Sequence, residues 1–132
     1  MSRFEIKKIL VPVDFSETAD KALEQAVFMA KKNNAEIALV YVIEGPMTGL
    51  DGESFAFSIY NRVEFESQMF TVIQEQLERL KEMLKNKGVE NVTYIIEPGR
   101  VYKKIVEVAG IIKSDIIIMG THGVSGFREF AI

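Results

Sequence analysis

Two hydrophobic periods take turns along this chain. Lys8-Ile9-Leu10-Val11-Pro12-Val13, apolar after Lys8, and Ile37-Ala38-Leu39-Val40-Tyr41-Val42-Ile43 are runs rich in β-branched residues and read as buried strands. Between them, Ala19, Ala22, Leu23, Ala26, Val27 and Ala30 recur at helical spacing, which gathers them on one stripe. Ser16 precedes that stripe as an N-cap, and Glu17 falls in the first turn, where the helix dipole favours a carboxylate. A second stripe, Phe70, Ile73, Leu77, Leu80 and Leu84, stops at Gly88, a C-capping residue type. Val92 to Ile96 supplies a third strand and Pro98-Gly99 a turn. Val101, Ile105, Val106, Ala109 and Ile112 then form the apolar face of a third helix. A last strand is predicted over Asp115-Ile116-Ile117-Ile118-Met119, whose apolar run reads as covered on both faces.

The order β-α-β-α-β-α-β predicts right-handed crossovers and a parallel sheet with helices on both faces. The expected fold is therefore three-layer α/β, doubly wound and Rossmann-like, with four strands. One stretch fits no element: Glu44 to Ser54 holds Gly45, Pro46, Gly49 and Gly52 directly after the second strand. It is expected to be a loop on the ligand-binding edge, serving as a lid or as a plain linker. Phe55, Phe57, Tyr60, Phe65, Met69 and Phe70 follow, dense enough in apolar surface for core packing or a partner contact.

Composition narrows the function classes. With 132 residues, 48% of them hydrophobic, the chain is the size of one ordinary domain, taken as 1–132, with a substantial core. A net charge of −3 and no cluster of Lys and Arg argue against nucleic acid as a partner. Without cysteine there is no disulfide framework, thiolate metal site or cysteine nucleophile. No apolar run reaches the roughly 18 residues of a membrane helix. Met1-Ser2-Arg3-Phe4-Glu5 also lacks the apolar stretch of a signal peptide. The expectation is a cytoplasmic protein with no membrane partner.

Candidate chemistry collects at the carboxyl ends of the first and last strands, where an open α/β sheet binds its ligands. Gly120-Thr121-His122-Gly123 follows the last strand. Its glycines let backbone N–H groups approach an anion with no Cβ in the way, although the same spacing also suits a plain turn. Asp14 leaves the first strand at the same crevice, either as an acceptor for a ribose hydroxyl or base amino group or as a helix cap. His122, the only histidine, has no identified nucleophile or carboxylate partner. There is no G-x-x-x-x-G-K-[ST], no G-x-G-x-x-G after the first strand and no G-x-S-x-G elbow. One His and no Cys leave zinc to carboxylates, a poor donor set. The pattern favours binding over turnover and gives no catalytic residue.

The segments Lys7 to Ser16 and Asp115 to Gly123, in this order and with that βα series between them, resemble the universal stress protein family. The resemblance covers the chain from about Lys7 onward and implies an adenine nucleotide alpha hydrolase-like fold. It implies further that Pro12, Val13 and Asp14, with Val42, surround adenine and ribose, while Met119, Gly120, His122 and Gly123 lie along ribose and phosphates. The implied ligand is ATP, with or without magnesium. The implied role is a stress-response regulator or switch, in which the nucleotide orders the Gly-rich loops and changes a surface read by partners. Such proteins are commonly homodimers, with no more than slow ATP hydrolysis. A ligand-free interaction or dimerisation module of the same fold is the other reading. In ATP-binding members the phosphate loop reads G-x2-G-x9-G-[ST]. Here Gly120 and Gly123 supply the first half, Val124 to Ile132 fill the spacer, and the second glycine and hydroxyl would fall beyond Ile132. On that basis the expectation is a domain without the following helix and fifth strand, weaker triphosphate binding, and a sheet edge at Ile116 to Met119 open to pairing with another chain.

Overall fold

The structure, a computed structural model, describes the backbone of residues 4–44 and 52–120, and within these the side chains of all but Thr18 and residues 52–66. Its elements are β1 (Lys8–Pro12), α1 (Glu17–Asn33), β2 (Glu36–Ile43), α2 (Gly52–Asn86), β3 (Val92–Pro98), α3 (Val101–Ile112) and β4 (Ile116–Ile117). The strands run parallel in the order β3-β2-β1-β4. In register, Leu10 lies between Ala38 and Ile117, and Val40 lies beside Ile95.

Successive strand residues point to opposite faces, so each unbroken apolar run serves two cores. Ile9, Val11, Ile37 and Leu39 pack with Ala22, Leu23 and Ala26 of α1 and with Ile73, Leu77 and Leu84 of α2. Leu10, Ala38 and Val40 pack on the other face with Ile105 and Val108 of α3. This double burial is why β1 and β2 lack polar alternation. The three layers and the parallel doubly wound sheet agree with the expected fold.

Local chemistry sets the helix ends. Ser16 caps α1, its Oγ accepting from the Ala19 N–H at 3.2 Å, and Glu17 and Asp20 occupy the first turn. Gly88 follows α2 at a φ of 107°, a conformation natural to glycine. Also at the amino ends of the strands, Asp115 Oδ2 accepts from the N–H groups of Lys7 (2.8 Å) and Lys8 (2.9 Å), tying the start of β4 to the start of β1. Those two backbone donors hold the Asp115 carboxyl below its ordinary pKa.

Several expectations are corrected. The last strand is shorter than Asp115 to Met119: only Ile116 and Ile117 form it, and both are half-buried, while Ile118 and Met119 are buried beyond it. Ile118 N–H still donates to Leu10 O at 3.0 Å, so the chain stays beside β1 after the regular ladder ends. β1 stops at Pro12 rather than Val13, and β3 runs on to Pro98. Residues Gly52, Glu53 and Ser54, expected in a loop, open α2, and the rest of that loop from 45 to 51 lies outside the described residues. Phe55, Phe57, Tyr60 and Phe65 sit on α2 with side chains outside the description; Met69 packs half-buried on the core, and Phe70 is exposed. On α3, Val106 points outward at 67% exposure and Val108 takes the core position instead. For Phe70 and Val106 the helical period defined a stripe, and the packing angle against the sheet selected which margin of it is covered.

Candidate functional site

β1 ends at Pro12, but Val13 N–H donates to Val40 O at 2.9 Å and keeps the chain against β2 for one more residue. The chain then turns sharply. Asp14 Oδ1 accepts from Ser16 N–H at 3.0 Å, and the intervening Phe15 sits at a φ of 64°, left-handed backbone that a bulky residue seldom adopts. The Phe15 ring stacks on Tyr41 of β2, with centroids 5.3 Å apart, which offsets part of that strain. Asp14 thus closes the turn while Ser16 caps the helix, and its half-buried carboxylate still faces a cavity. Burial, and after it the negative charge of Asp14, raises the Tyr41 phenol above its ordinary pKa.

The opposite wall comes from the β3–α3 turn. Gly99, at a φ of 139°, redirects the chain after Pro98, and its N–H donates to Ile43 O at 3.0 Å, pinning the turn to the end of β2. Arg100 O then accepts from Lys104 N–H at 2.9 Å as α3 begins. Between the two turns lies a cavity of about 510 Å3. Val40 and Val42 of the sheet and Val101 and Ile105 of α3 line it with apolar surface, Pro12 and Val13 close its floor, and Asp14, Tyr41, Glu44, Arg100 and Tyr102 contribute polar groups. An apolar slot of this size with a few polar groups suits a small organic ligand carrying a flat ring. It holds two carboxylates as acceptors and one guanidinium as a donor. Among the described residues no group of three or more His, Cys, Asp or Glu is placed to hold a metal.

Pro12, Val13, Asp14 and Val42, four of the residues singled out in the sequence, come together in this cavity. Met119 does not line it; at 5% exposure it packs with Leu10, Val40 and Ile105 in the core under α3. Gly120 is half-buried just beyond β4, and His122 and Gly123 lie outside the described residues. Sequence reasoning missed Tyr41, Glu44, Arg100 and Tyr102. A signal for two of them existed: in a parallel sheet every β-to-α turn emerges at the carboxyl edge, so the turns after β2 and β3 deserved the same scrutiny as those after β1 and β4.

The universal stress protein family profile matches residues 5–132. Universal stress protein MJ0531 of Methanocaldococcus jannaschii is 33% identical over 127 residues, covering 96% of this chain and 71% of that protein. Among solved structures, hypothetical protein MJ0577 superposes with a TM-score of 0.74 at 31% identity, over 94% of this chain and 80% of its own. A universal stress protein in complex with cAMP shares the fold, with a TM-score of 0.60 at 18% identity over 94% of this chain and 79% of that one.

Proposed function

This chain belongs to the universal stress protein family, and on that premise we propose that it binds an adenine nucleotide, ATP, at the carboxyl edge of its sheet and acts as a regulator or switch rather than by turnover. The observation that carries this reading is the cavity at the carboxyl ends of β1 and β2, beside the point between β1 and β4 where the strand order reverses. Base and ribose occupy the slot between Val40 and Val42 on one side and Val101 and Ile105 on the other. Asp14 accepts from the ribose, and the phosphates run toward Gly120 and, beyond it, His122 and Gly123. Backbone N–H groups freed of Cβ bulk hold the phosphates there, and any magnesium rides on the phosphate oxygens and water rather than in a protein cage. Binding orders the turns around the cavity and shifts the population of surfaces offered to partners.

Titration calorimetry with ATP, ADP, AMP and cAMP tests the reading, cAMP being the ligand that one relative of this fold carries. Asp14→Ala should weaken ATP roughly tenfold or more, the loss of one charge-assisted hydrogen bond. Gly120→Val should abolish binding by placing a branched side chain where phosphate oxygens need the backbone. Unchanged affinity in both variants refutes the site, and wild-type protein that binds no nucleotide favours the interaction-module reading. We further propose that residues 1–132 act as one domain, in the cytoplasm, as a homodimer or larger homo-oligomer, which light scattering would report as more than the 14.9 kDa of one chain. No described helix is long and apolar enough to cross a membrane.

A further inference from the structure

Two cations at the start of α3, Arg100 at its N-cap and Lys104 in its first turns, meet different fates. Lys104 Nζ lies 3.8 Å from a Glu97 oxygen and 3.3 Å from a Glu107 oxygen, so its charge is already answered. Arg100, one helical turn earlier, lines the cavity and makes no side-chain cap, ion pair or side-chain hydrogen bond with any described residue. Its backbone is nevertheless held in place. Gly99 N–H is bonded to Ile43 O on one side, and Arg100 O takes the Lys104 N–H on the other. A fixed backbone carrying an uncommitted guanidinium at a cavity rim is an arrangement that a ligand can complete.

Sheet order decides which part of a ligand that is. In the order β3-β2-β1-β4, the strand feeding Arg100 and the strand feeding Gly120 stand at opposite edges. At about 4.8 Å per strand the two lie about 14 Å apart. With phosphates at Gly120, Arg100 is therefore at the base end. Glu44, directly after β2 and next to β3, lines the same end and supplies an acceptor. Between them Val42 and Val101 offer apolar surface to a flat ring. A guanidinium suits such a ring, because it is planar, stacks on aromatic faces and presents several donors in one plane.

We propose that Arg100 is the base-reading residue of this site, donating to ring-nitrogen acceptors of a purine while Glu44 accepts from the exocyclic amino group. The site thereby selects adenine by its donor and acceptor edge. Hypoxanthine, with a carbonyl in place of that amino group, sets an oxygen against the Glu44 carboxylate and is disfavoured. This assignment rests on the nucleotide reading above and deepens it.

The test is calorimetry on the whole chain with adenosine, ATP and inosine triphosphate, using wild type, Arg100→Met and Glu44→Gln. Arg100→Met should lose roughly tenfold in affinity for ATP and the same factor for adenosine, as expected for one lost charge-assisted contact to the base. Its unfolding midpoint should stay unchanged, since the guanidinium has no partner in the described structure. Wild type should prefer ATP to inosine triphosphate, and Glu44→Gln should narrow that ratio. A loss on ATP with adenosine unaffected makes Arg100 a phosphate contact and overturns the assignment, as does wild-type affinity in Arg100→Met. A ratio that survives Glu44→Gln overturns the edge-reading part. Wild type that takes up neither adenosine nor ATP defeats the nucleotide reading and this assignment with it, whereas wild type that binds both while Arg100→Met matches it defeats the assignment alone.

Discussion

Exchanging Phe15 for glycine should be gentler than exchanging it for alanine, the reverse of the usual order. Phe15 is 38% exposed, sits at a φ of 64° and stacks on Tyr41. Either substitution removes the ring. The stacked pair contributes about 0.5–1.5 kcal/mol, and the buried part of the ring adds on the order of 1–2 kcal/mol. Alanine keeps the left-handed strain, which costs a non-glycine residue about 1–2 kcal/mol. Glycine releases that strain but adds about 0.5–1 kcal/mol of unfolded-chain entropy. The balance leaves Phe15→Gly more stable than Phe15→Ala by about 0.5–1 kcal/mol. At Lys21, exposed within α1, the same pair should show the opposite sign, with glycine worse by about 1 kcal/mol. Urea unfolding of the four variants, with midpoints compared at unchanged slope, measures both differences. Phe15→Ala as stable as Phe15→Gly would refute the account of the turn. Both Phe15 variants also uncover Tyr41, so its phenol should titrate closer to its ordinary value, burial being the leading cause of its raised pKa.

Three further expectations follow from burial, titration and backbone. Leu77, fully buried, should lose about 2–5 kcal/mol as Leu77→Ala, while exposed Phe70→Ala stays within about 0.5 kcal/mol; equal losses in denaturation would contradict the burial pattern. The Asp115 pKa lies below its ordinary 3.8, so its stabilising contribution is present above that pH and is lost as pH falls through the lowered value; the raised Tyr41 pKa contributes stability below its ordinary 10.0 that is lost as pH rises through the raised value. Asp115→Asn should flatten the acid limb of a stability–pH curve and Tyr41→Phe the alkaline limb, and limbs left unaltered would show that these groups do not act so. Gly99→Ala should cost about 1–3 kcal/mol, because a φ of 139° is strained for alanine and its Cβ would stand 2.9 Å from the Lys104 side chain. Gly110→Ala, in helix α3 with nothing within 4 Å of the added Cβ, should instead stabilise by about 1 kcal/mol; thermal melts showing the same sign for both would sink the argument.

The features readable in the chain are those decided by neighbours in sequence. The Ser16 cap, the bounds of α3 at Val101 and Ile112, and the Gly88 stop depend on a few adjacent residues and on a period. The double-faced burial of β1 and β2 was equally plain, since unbroken apolar runs joined by helices admit a parallel sheet and little else. From that sheet Asp14 could be placed at a crevice, while Pro12, Val13 and Val42 could be named only through the resemblance of the motifs to a known family. Other features belong to the packed structure. A stripe of apolar residues has angular width, and only the crossing of a helix over the sheet shows which margin is buried; Val106 and Phe70 fell outside, and Val108 fell within. The left-handed Phe15 follows from closing a turn between a strand end and a capped helix, a demand that appears only when both are in place. The cavity's second wall is the clearest case. Arg100, Val101, Tyr102 and Ile105 are far from Asp14 along the chain and are brought opposite it by the crossover of α3 over β2 and β1. A site formed by two turns that share no local sequence acquires its volume, its polar groups and its direction only when the sheet order sets those turns side by side.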